Sequence, residues 1–114
     1  MFKEVVKKCR ELDVYEVRSV SDKYLELVFY NKEIGKWQQM FADILGAAVK
    51  PPDKEPAKED ISLTKEHGGI CDNQTLFKKE FDHSTVIAMF WPWRDGILTT
   101  LKAAVLKNEK KTEI

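Results

Sequence analysis

Two apolar runs constrain the fold more than any other feature of this sequence: Tyr24-Leu25-Glu26-Leu27-Val28-Phe29-Tyr30 and Thr85-Val86-Ile87-Ala88-Met89-Phe90-Trp91. Both are rich in aromatic and branched side chains, both lack glycine and proline, and each follows a short polar turn, Ser21-Asp22-Lys23 or Asp82-His83-Ser84. Such runs read as strands. Segments just upstream, from Val14 to Val20 and from Thr75 to Phe81, complete an antiparallel hairpin with each. With a turn at Ser21-Asp22-Lys23, Tyr15 and Val17 share a face with Phe29 and Leu27, and Arg18 stands opposite Glu26 on the other face.

Helical periodicity occupies three other places. Phe2, Val5, Val6, Cys9 and Leu12 recur at the spacing of one helix face, with Lys and Glu between them. Asn31 is a suitable N-cap for a helix from about 32 to 48, whose apolar positions are Ile34, Trp37, Phe41, Ile44, Leu45 and Ala48. Pro92 suits the first turn of a last helix with Ile97, Leu98, Leu101, Ala104 and Val105 on its apolar face. The polar tail after Lys107 is expected to fray.

Between the two halves, Lys50 to Asp60 holds three of the four prolines and seven charged residues, which predicts a flexible, solvated connector at about 50–60. Ile61 and Leu63 suggest a short edge strand, and His67-Gly68-Gly69 opens a loop that continues through Asp72-Asn73. A displacement of 61 positions lays Tyr24–Leu45 over Thr85–Leu106, with Phe29 on Phe90, Gly35 on Gly96 and Leu45 on Leu106. The expected fold is therefore α+β: a leading helix plus two ββα units, forming a four-stranded mainly antiparallel sheet with the helices on one face, a permuted ferredoxin-like arrangement.

A chain of 114 residues, 43% apolar and 33% charged, carries one hydrophobic core, so a single domain spanning 1–114 is expected. Nineteen basic residues balance nineteen acidic ones, which argues against nucleic acid as a partner. No apolar stretch has the length of a membrane span, and the N-terminus does not read as a secretory signal. With only Cys9 and Cys71, the simplest expectation is a cytoplasmic protein with free thiols.

Strand alternation supplies the main candidate site. If Leu25, Leu27, Phe29, Val86, Ala88 and Phe90 point at the helices, then Val28, Tyr30, Ile87, Met89 and Trp91 point the other way, onto a face that in a monomeric antiparallel sheet is normally polar. Either a partner covers them, or the first helix or the proline-rich connector does. Trp91-Pro92-Trp93 adds two indoles that can stack on a flat ligand or pack as ordinary core. His67, Cys71 and Asp72 form a second candidate in the glycine-containing loop, although their spacing matches no zinc, CxxC or HExxH pattern.

A four-stranded sheet with exposed aromatics resembles an RNA-recognition surface in outline. That family carries glycines and a basic start on a central strand, and Tyr24 to Tyr30 has neither. The expected function is a non-enzymatic binding or self-association module. It uses the apolar face bearing Val28, Tyr30, Ile87, Met89, Trp91 and Trp93, as a homodimer or with a small apolar or aromatic ligand. The alternative is a small enzyme or metal-dependent protein centred on His67, Cys71 and Asp72. No catalytic residue, metal or cofactor is assigned.

Overall fold

Trp37 is stacked on Phe29 at 4.6 Å between ring centroids, and both side chains are fully buried. That contact joins the second helix to the second strand and marks the centre of the main core. A computed structural model describes residues 1–107, so the expectation for the tail lies outside the described residues. Helix α1 (Phe2–Arg10) is followed by strands β1 (Glu16–Val20) and β2 (Tyr24–Tyr30), and a short 3-10 turn leads into α2 (Ile34–Leu45). After the connector come α3 (Lys58–Thr64), β3 (Thr75–Glu80), β4 (Ser84–Pro92) and β5 (Leu98–Lys107). The sheet is antiparallel throughout, in the order β1-β2-β5-β4-β3.

The fold is thus α+β, with five strands rather than four among the described residues. Leu98–Lys107 is not a helix but the central strand, paired with β2 on one side and β4 on the other. A strand buried on both faces loses its period-two signal, and Leu98, Leu101, Ala104 and Val105 then fall by coincidence at helical spacing. The turn before it gave a cue of its own. Asp95 Oδ1 accepts the Ile97 and Leu98 N–H groups, and Gly96 takes a positive φ of 72°, so Asp95-Gly96 makes a hairpin turn where a helix start was expected. The second half therefore ends in three strands, and the 61-residue correspondence holds for β2 on β4 but sets helix α2 against strand β5.

Helices occupy both faces of the sheet, not one. Phe2, Val5 and Cys9 of α1 and Trp37, Phe41 and Leu45 of α2 pack on Leu25, Leu27, Phe29, Val86, Ala88 and Phe90. Leu63 of α3 packs on the opposite face, where Ile61–Leu63 had been expected to form an edge strand. Asp60 explains the helix start there, since its carboxylate Oδ2 accepts the Ala57 N–H at 3.3 Å from the first turn. The first hairpin keeps the expected pairing at Glu16 and Val28 and at Val17 and Leu27. Arg18 is extruded in a β-bulge, beyond which Ser19 rather than Arg18 faces Glu26.

Cys9 lies inside the main core and Cys71 is exposed, and both are free thiols. Burial pushes the Cys9 thiol up from 9.0 to about 12. Between these values the folded chain keeps a proton that the unfolded chain releases, so stability falls as pH rises above 9.0. In denaturant titrations, the stability advantage of wild type over Cys9→Ala should shrink by about 1.4 kcal/mol per pH unit in that window. A pH-independent difference between the two proteins would contradict this.

Candidate binding surfaces

The face expected to carry an exposed apolar patch is closed from within the chain at Ile87 and Met89. Ile87 and Met89 are fully buried with Leu76, Ala104 and Ile70 in a second core, against which Leu63, Tyr24, Trp91 and Leu106 pack. The covering element is α3 with the loop that follows it. Val28 is also fully buried, while Tyr30, Trp91 and Trp93 are half-buried. Ile87, Met89 and Val28 are thus structural positions that no partner can touch in the folded chain, which corrects their assignment to an interface.

The two indoles are held separately, each by its own partners. Trp91 lies under the Lys102 ammonium, 3.6 Å from the ring centroid, and against Gly68, where an added Cβ would collide with the ring. Gly68 has φ of 99°, so the loop's first glycine serves both a left-handed turn and a close approach. Trp93 donates its Nε1–H to Thr100 Oγ1 at 2.8 Å, and the Arg18 guanidinium sits 5.6 Å from its ring centroid.

Between them runs a row of paired charges. Arg18 meets Glu16 at 3.3 Å and Glu26 at 3.8 Å, and the Tyr24 hydroxyl donates to Glu26 at 2.7 Å. Desolvation, then the Glu26 carboxylate, raises the Tyr24 hydroxyl's pKa. Burial lowers that of Lys102, whose Nζ donates to the His67 carbonyl.

The loop residues His67, Cys71 and Asp72 are not gathered into one site. His67 stacks on Tyr24 with ring centroids 5.1 Å apart, Cys71 is exposed, and the Asp72 carbonyl accepts from Lys50. Among the described residues, no three His, Cys, Asp or Glu side chains are grouped as a metal site requires. Nor is any described helix long and apolar enough to cross a membrane.

A different surface stands open, at the end of the sheet. All of β1 is exposed, and Tyr15, Val17 and Val20 are 51%, 54% and 41% accessible. Among the described residues, no strand lies beside its outer edge. The opposite edge is covered in part, because Lys50 forms an antiparallel bridge with Leu76 of β3. Sequence reading located this strand but spent its side chains on the pairing with β2. The missed signal is the order Val14-Tyr15-Glu16-Val17-Arg18-Ser19-Val20, in which the residues either side of Val17 complement one another.

Compared with the known protein families, with curated proteins and with solved structures, the chain shows no match.

Proposed function

We propose that the chain is a non-enzymatic binding and self-association module that works as a homodimer, joined edge to edge through β1. The observation that carries this is the open β1 edge with its self-complementary sequence. A two-fold antiparallel pairing centred on Val17 sets Val17 against its own copy and Glu16 against Arg18 of the second copy, twice. Tyr15 then faces Ser19 and Val14 faces Val20.

Such a pair satisfies the outward N–H and C=O groups of two edges at once and closes on itself. A five-residue strand is a small contact, so association belongs to the concentration-dependent class.

Sedimentation velocity over a concentration series tests the reading. Wild type should pass from monomer to dimer. Val17→Asp, at an exposed position, should keep the fold while setting two carboxylates against each other, raising the dissociation constant by at least about tenfold, or ~1.4 kcal/mol. A wild-type chain that stays monomeric throughout, or a Val17→Asp dimer of unchanged strength, removes the proposal.

A further inference from the structure

Of the aspartates and asparagines in this chain, only Asp95 is followed by glycine. Such a pair carries a chemistry of its own. The glycine amide nitrogen attacks the aspartate side-chain carboxyl carbon, unhindered by any side chain at the glycine, and water leaves as a succinimide ring closes. Water then opens the ring at either carbonyl. One product is aspartate again, and the other is isoaspartate, whose main chain runs through the former side chain. Residues 94–97 are exposed, so water has access to the turn, and geometry decides whether the reaction runs.

That geometry opposes the attack. Asp95 Oδ1 accepts the N–H groups of Ile97 at 2.8 Å and Leu98 at 3.2 Å, which ties the carboxyl to the start of β5. The Gly96 N–H, which must give up its proton before the nitrogen can attack, donates to the Trp93 carbonyl at 3.2 Å. On either side the chain is fixed: the Trp93 N–H donates to the Leu98 carbonyl at 2.9 Å, and the Ile97 carbonyl accepts the Asn31 N–H at 2.8 Å. Gly96 holds its φ of 72° within this frame. To bring the Gly96 nitrogen onto the Asp95 carboxyl carbon, the turn has to open.

We propose that Asp95 is a site of isoaspartate formation that the native turn holds closed, so that the succinimide forms only in molecules whose β4–β5 turn has opened. Isoaspartate adds one atom to the main chain between Trp93 and Leu98 and removes the side chain that caps the Ile97 and Leu98 N–H groups. The register of the hairpin depends on that turn. Because β5 is the central strand, paired with β2 and β4, the modified chain rebuilds its sheet poorly, and time spent unfolded is converted into lasting damage.

Wild type is incubated at neutral pH, folded in buffer and unfolded in guanidinium chloride, and isoaspartate is located by peptide mapping with electron-transfer fragmentation, which tells the two isomers apart. Isoaspartate in place of Asp95 should accumulate at least about tenfold faster in denaturant, and ahead of modification at every other aspartate or asparagine. After dilution from denaturant, the fraction that refolds should fall in step with it. Asp95→Glu, whose longer side chain cannot close the same ring, should keep its refolding yield through the same incubation. Equal rates with and without denaturant would show that the turn gives no protection, and a faster rate in buffer would show that the two N–H groups activate the carboxyl instead. Either result overturns the proposal. So does isoaspartate arising first elsewhere in the unfolded chain, or a loss of refolding that Asp95→Glu shares. The rate comparison uses wild type alone, so it decides the matter even where Asp95→Glu does not fold.

Discussion

Met89→Lys should unfold this chain rather than dissociate it. Met89 is fully buried on β4, between Leu76 of β3 and Lys102 of β5, and its neighbours in the second core include Ile70, Ile87 and Ala104. Removing its side chain alone costs roughly 2–5 kcal/mol. An ammonium placed there meets apolar groups and the existing Lys102, with no carboxylate paired to it, so the desolvation penalty adds to the lost packing. Together these approach the roughly 5–15 kcal/mol by which small domains are stable.

Near-UV circular dichroism and thermal melts should show loss of the cooperative transition for Met89→Lys. Met89→Leu should cost less than about 1.5 kcal/mol. A folded Met89→Lys protein with an unchanged melt would mean that α3 does not seal this face. The contrast with Val17→Asp separates the two apolar surfaces, because the first substitution strikes the interior and the second only the proposed dimer edge.

Where the sequence was informative, one face of an element was buried and the other was wet. Phe2, Val5 and Cys9 on α1 and Trp37, Phe41 and Leu45 on α2 were legible for that reason, and in β2 and β4, whose two faces are both largely covered, the choice of residues facing the main core was legible too. Where it failed, the pattern was degenerate or the structure was set by tertiary contact. Leu98–Lys107 sits between two strands and is covered above and below, so neither period is written into it.

Helix α3 is short and rests on Asp60 at its start and Leu63 against the sheet, contacts that local propensity does not reveal. That miss propagated to the site. With Ile61–Leu63 expected as a strand, the covers left for Ile87 and Met89 were a partner, the first helix or the connector, and α3, which does cover them, was not among these.

Lys50 was also read only as part of a solvated connector, yet its side chain is almost wholly buried. The segment from 51 to 57 is irregular and mostly exposed, as its prolines and charges predict. Its first residue behaves oppositely. Lys50 Nζ donates to the carbonyls of Pro51, Asp72 and Gln74, the last two at 2.6 and 2.5 Å, while its backbone bridges Leu76 in both directions. One ammonium thus ties the start of the connector to the loop before β3 and covers part of that strand's outer edge.

Burial lowers the Lys50 pKa, so the ammonium is held against a desolvation cost that the three carbonyls and the field of Asp72 offset. Lys50→Met keeps the stem and removes the charge, leaving three carbonyls without their donor in a site that excludes water. Charge-assisted hydrogen bonds of this kind contribute roughly 1.5–3 kcal/mol each and are not additive, so the expected loss is about 3–5 kcal/mol in urea titration. Hydrogen exchange should localise it: the Val49, Lys50 and Asp53 amides, which bond to Leu76 and Asp72 carbonyls, should lose protection well before those of β2 and β5. A Lys50→Met protein as stable as wild type would show that the backbone bridge alone holds this edge, with the buried ammonium contributing nothing net.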